Sequence, residues 1–142
     1  MVISIEQLRE EIRNAKTTDD IIEAIFYKVR VTINDFIPKS QIFLQRTFFR
    51  LKKESPQLFN DFIFDESGVT PFSDELDSVL FRLEASTIFA TLNPSYKKYN
   101  ITDDALAVLK ISYEKLASER IEIDKCATIF CKLVEDERNQ AA

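Results

Sequence analysis

SDELDSVLFRLEASTIFATLNPSYKKYNIT, running from Ser73 to Thr102, decides how the chain is read, because its hydrophobic period changes partway along. Leu76, Val79, Leu80 and Leu83 recur at three- and four-residue spacing, which places them on one face of a helix. Ile88 to Leu92 and Tyr96 to Ile101 are instead β-prone runs on either side of Asn93-Pro94-Ser95. The stretch predicts a helix followed by a β-hairpin that projects as a wing.

The residues before it predict helices. Ser4 and Gln7 form a capping-box pair ahead of Ile5, Leu8 and Ile12, so a first amphipathic helix is expected over about Ile5 to Ala15. Thr17 or Thr18 caps a second, with Ile21, Ile22, Ala24, Ile25, Val29 and Ile33 as its apolar face and Pro38 as its stop. After the Pro38-Lys39-Ser40 break, Leu44, Phe48 and Leu51 keep the helical period, and Pro56 opens a short turn or helix through Leu58, Phe59 and Phe62. Phe62 to Phe72 carries loop punctuation, and its start, Phe62-Ile63-Phe64, is placed as a short strand against the wing.

Beyond the wing, Thr102 caps a helical region with no Gly or Pro. Leu106, Leu109, Tyr113 and Leu116 follow heptad-like spacing, and Ile123, Cys126, Phe130 and Leu133 resume it after Arg120. One long helix or two stacked ones satisfy this pattern. The long apolar seam fits either a core edge or a dimer contact, so Leu106, Leu109, Tyr113, Leu116, Ile123 and Phe130 are the candidate protein-interface residues. The tail from Glu135 to Ala142 is polar and expected to fray.

Composition bounds the class. The chain has 142 residues, 45% apolar and 30% charged, with a formal net charge of −5, which suits one soluble domain. The expected division is N-terminal helices to residue 37, a core over 38–102, C-terminal helices over 103–136 and the tail. No apolar run approaches the roughly 20 residues that cross a bilayer, and MVISIEQLREEIR lacks the basic start and long apolar stretch of a secretory signal, so a cytoplasmic protein without membrane contact is expected. Cys126 and Cys131 lack a disulfide framework and read as small core residues in a reducing compartment.

The chain contains no His, hence neither the commonest general base nor the commonest zinc ligand. Its single glycine, Gly68, supplies no glycine-rich phosphate loop. The acidic pairs Asp19-Asp20 and Asp103-Asp104 sit where first helical turns favour negative charge. We therefore expect no enzyme, no cofactor, no bound metal and no small-molecule ligand.

Leu44 to Thr102 resembles winged helix-turn-helix proteins of prokaryotic regulators, including predicted archaeal regulators and antitoxin-like relatives. The resemblance rests on LQRTFFRLKK, the aromatic segment FIFDESG, the turn Pro71-Phe72-Ser73, ELDSVLFRLEAS and the pair Ile101-Thr102. The chain departs from that pattern where Gly68 is followed by Val69 and Thr70 rather than Pro, and where Thr87 replaces a Gly commonly ending the key helix. It implies a mainly α fold with a small hairpin wing, and a recognition helix at about Ser73 to Ser86 whose N-terminal half enters the major groove in DNA-binding relatives.

That half is acidic here. Asp74, Glu75 and Asp77 stand against Arg82 as the helix's only base, and carboxylates brought near phosphate oppose counterion release. Positive charge lies instead in residues 28–53, where Arg46, Arg50 and Lys53 share a helical face, and at the wing tip in Lys97 and Lys98. Arg46, Arg50, Lys53, Arg82, Lys97 and Lys98 are thus the candidate nucleic-acid contacts, with a solvated helix face and a lysine-bearing turn as the plain structural alternative. Two readings remain: a non-catalytic regulatory module that binds itself or another protein, and a dimeric DNA-binding transcriptional regulator.

Overall fold

Four of the expected helix starts carry the side-chain caps that the sequence requires. In the computed structural model, which describes residues 4–7, 17–33, 37–86, 90–91 and 98–141, Gln7 N donates to Ser4 Oγ at 3.1 Å and Ser4 N to Gln7 Oε1 at 3.2 Å. The helical turn at 5–7 follows; the remainder of that expected helix lies outside the described residues. Thr17 is the cap of α1 (Thr18–Ile33): its Oγ1 accepts from Asp20 N, and Asp20 Oδ2 accepts from Thr17 N. Ser73 Oγ and Thr102 Oγ1 accept from the backbone three residues on, opening α3 (Asp74–Ala85) and α4 (Asp103–Lys115). Each such cap contributes about 1 kcal/mol.

Between α1 and α3 lie β1 (Ile37–Pro38) and α2 (Gln41–Glu54), the latter capped by Ser40. After α3 come β2 (Ala90–Thr91) and β3 (Lys98–Asn100), then α4, a 3₁₀ turn (Ala117–Glu119) and α5 (Arg120–Ala141). The fold is mainly helical, with one small antiparallel sheet ordered β1-β3-β2. Ile37 pairs with Tyr99 and Pro38 with Lys98, while Ala90 pairs with Asn100 and Thr91 with Tyr99. Pro38 is tolerated because β1 is an edge strand.

Two expectations need correction, and one open choice closes. The third strand is not Phe62-Ile63-Phe64. That segment stays irregular, because Asp65 and Phe72 exchange backbone hydrogen bonds of 2.8 and 3.0 Å that close their own loop, and β1 takes the place against β3. Of the two arrangements open for the C-terminal region, two helices form, parted where Leu116 N caps back to Ser112 O and a 3₁₀ turn intervenes. The last helix passes its expected bound of 136: α5 continues to Ala141, since Glu, Arg, Gln and Ala all favour helix and neither Gly nor Pro interrupts it.

The core is a cluster of aromatic edges. Phe130 lies 5.4 Å from Phe26, 5.6 Å from Phe48 and 6.1 Å from Phe43, and Phe48 lies 5.8 Å from Phe26, so α1, α2 and α5 meet ring to ring. A buried ring contributes about 1.5–3 kcal/mol, and edge-to-face pairing adds about 0.5–1.5. Cys126 is buried within this core and Cys131 is half-buried; both are free thiols, and burial pushes Cys131 up to about 11.

Polar contacts fix α1 against α4. Ser112 Oγ lies 2.7 Å from Glu23 and 3.2 Å from Asp20, and Lys115 Nζ is 2.9 Å from Asp20. One hydroxyl proton cannot serve two carboxylates at once. Burial raises the Glu23 carboxyl above its ordinary value despite the Ser112 contact. Burial pushes Asp20 the same way, but bonds from Lys115 and Thr17 outweigh it and hold Asp20 below the usual range.

Candidate interaction surface

The geometry that exposes α3 begins with Gln45 of α2, which is buried. Its Nε2 donates to Ser73 O at 3.2 Å and its Oε1 accepts from Ser73 N at 2.8 Å, so one amide holds the start of α3 against the middle of α2. Gln41 Nε2 adds a 2.8 Å bond to Asp77 Oδ1. With Leu76, Val79, Leu80 and Leu83 turned into the core, the 3.6-residue period leaves Asp74, Asp77, Ser78, Phe81, Arg82 and Ala85 outward. Phe81 is 71% exposed.

A groove of about 260 Å³ runs beside this face, floored by Leu44, Leu80 and Tyr99 and rimmed by Lys39, Gln41, Asp77, Phe81 and Glu84. Lys39 Nζ lies 3.1 Å from Glu84, whose other oxygen accepts from the Tyr99 hydroxyl at 3.2 Å. Burial and the Glu84 charge together raise the Tyr99 phenol, so it stays a donor. The rim is therefore organised and carries more carboxylate than cation.

Of the candidate nucleic-acid contacts, Arg82 is engaged elsewhere: its guanidinium meets Asp19 of α1 through two bonds, 2.9 and 2.6 Å long. Arg46, Arg50 and Lys53 are exposed on the outer side of α2. Lys53 Nζ sits 4.4 Å above the Phe49 ring. Arg46 and Arg50 line a second groove, of about 350 Å³, whose far wall is Leu133, Asp136 and Glu137 of α5. Neither arginine makes an ion pair within 4 Å with another described residue. Lys98 contributes its backbone to β3, and Lys97 lies outside the described residues.

The candidate interface seam is covered from within. Leu109, Ile123 and Phe130 are fully buried and Leu116 is 1% exposed, because α1 lies along α4 and α5. Leu106 and Tyr113 are half-buried, with Tyr113 packed 4.9 Å from Tyr27, under the Arg120 guanidinium and donating to Asp124 at 2.7 Å. The seam is thus core edge in the folded chain, and what it leaves outward on α4 is Val108 and Ile111. Sequence reasoning missed Phe81 as a surface residue, although its place opposite Leu76, Val79 and Leu83 on the helical period carries that information.

Among the described residues no group of three or more acidic or cysteine side chains is arranged to hold a metal ion, and no helix is long and apolar enough to cross a membrane. Comparison with protein-family models, with curated proteins and with solved structures finds no match to this chain.

Proposed function

We propose that this chain is a non-catalytic regulatory module that binds protein through α3, on a winged-helix body. The observation that carries the reading is the outer face of α3: Asp74, Asp77 and Ser78 beside an exposed Phe81, with the helix's one arginine occupied by Asp19. Against DNA, two uncompensated carboxylates on an inserted helix oppose phosphate and weaken the electrostatic source of non-specific affinity. Against protein, an exposed aromatic with ordered polar neighbours is the composition of an anchor site.

The winged-helix part of the reading is supported by element order, β1-α2-α3-β2-β3, and by β3 lying between β1 and β2. One feature departs from the DNA-binding form. Residues 55–73 separate α2 from α3, where a helix-turn-helix uses a turn of about three or four residues. The absence of His from the sequence supports a non-catalytic role.

A dimeric DNA-binding regulator is the second reading, favoured by the exposed Arg46, Arg50 and Lys53 on α2. Retention of the full chain on random-sequence duplex DNA, measured against salt concentration, separates the two. Absence of retention at low salt is the result expected for the protein-binding module. Retention that falls steeply with salt, and less steeply after Lys97→Ala with Lys98→Ala, contradicts it.

A further inference from the structure

The outer stripes of α2 and α3 are built on the same spacing. Ile42, Arg46, Phe49 and Lys53 follow one another at intervals of four, three and four, and so do Asp74, Ser78, Phe81 and Ala85. Each stripe exposes a large apolar side chain, Ile42 at 56% and Phe81 at 71%. Their charges are opposite: Arg46 and Lys53 on α2, with Arg50 alongside, and Asp74 on α3, with Asp77 alongside. The helices are also neighbours, tied by Gln41 to Asp77 and by Gln45 to Ser73.

We infer that the occupant of this surface is a second copy of the chain, docked about a two-fold axis that lies between α2 and α3, so that α2 of each copy meets α3 of the other. This rests on the protein-binding reading above and names the partner for the same site. Three observations converge on it. A two-fold contact must be self-complementary, and a cationic helix face next to an anionic one meets that condition without further residues. The chain's net charge of −5 makes two copies repel at long range, and a local match of opposite charge of this kind offsets that repulsion at contact. The seam on α4 and α5, which the sequence offers as a dimer contact, is already packed against α1.

Phe81 and Ile42 supply the desolvated apolar centre, and the charges at their sides set orientation and exclude other registers. Asp136 and Glu137 stand across the second groove from Arg46 and leave its guanidinium without an ion pair within 4 Å among the described residues. A carboxylate from the second copy's α3 therefore meets an available cation.

The test is a mass measurement by sedimentation velocity on full chains, with circular dichroism to verify that each variant is folded. One variant carries Asp74→Lys and Asp77→Lys, the other Arg46→Glu and Lys53→Glu. The wild-type chain is expected to be a dimer, and each variant alone a monomer, its dissociation constant raised at least about tenfold by two like-charge contacts. An equimolar mixture of the two variants is expected to regain the dimer, one copy of each, because both reciprocal contacts then pair opposite charges again. Phe81→Ser, which alters an exposed side chain without touching the core, is expected to give a folded monomer. A wild-type monomer overturns the inference, and so does a dimer that persists in both variants. The persistent dimer leaves the protein-binding reading standing on another surface, whereas salt-sensitive retention on DNA overturns that reading itself.

Discussion

The seam of α4 and α5 and the outer stripes of α2 and α3 follow the same three- and four-residue spacing, yet the fold seals one and leaves the others outward. Leu109, Leu116, Ile123 and Phe130 meet α1, which begins some ninety residues earlier, and the bonds from Ser112 and Lys115 to Asp20 hold the two regions together. Phe81 and Ile42 instead keep 71% and 56% of their surface outward. Periodicity thus says that a face is apolar enough to be covered, and only the placement of distant elements says whether the same chain covers it.

Substitutions that separate the two regions break this comparison in proportion to burial. Phe130→Ala should be the most costly, destabilising the chain by about 3–5 kcal/mol in urea unfolding, because it opens a cavity among Phe26, Phe43 and Phe48. Lys115→Ala leaves the nearly buried Asp20 without its cation, and a loss of about 1–3 kcal/mol is expected in the same assay.

Glu23→Gln sharpens the picture through pH. Since burial raises the Glu23 carboxyl in the folded chain, its contribution is fully present below the unfolded value and is lost as pH rises through the folded one. Glutamine stays neutral throughout, so the variant should gain stability over wild type as pH rises from about 4 to 7 and match it at the acid end. Asp20 has the opposite sign: its lowered value gives stability above about 3.8 that is lost as pH falls through the folded value. Thermal unfolding followed from below about 3.8 up to about 7 distinguishes the two carboxylates. The smallest effect is expected from Phe81→Ser on the monomer, within about 0.5 kcal/mol, against the several lost at Phe130.

Local chemistry is what the sequence states legibly. Thr17, Ser73 and Thr102 cap their helices, and Ile88 to Leu92 and Tyr96 to Ile101 contain the paired strands β2 and β3, because caps and strand propensity act over a few residues. β1 is not legible. Its two residues include a proline, and their strand character comes from Tyr99 and Lys98, some sixty positions on. The segment Phe62-Ile63-Phe64 has strand composition, yet Phe62 packs on Phe59 and Phe64 on Phe49, so aromatic contacts hold it rather than a ladder. At the candidate surface, the acidity of α3 and the basic face of α2 are readable directly. The pairing of Arg82 with Asp19 is not, because nothing in either helix's own pattern brings residues 19 and 82 together.

Amide hydrogen exchange of the full chain, compared between dilute and concentrated solution, tests most directly which region is the working surface. The account predicts that protection gained on concentration falls in residues 42–53 and 74–85 and that α4 and α5 stay unchanged. Protection gained instead across 103–134, with α2 and α3 unaffected, would contradict it.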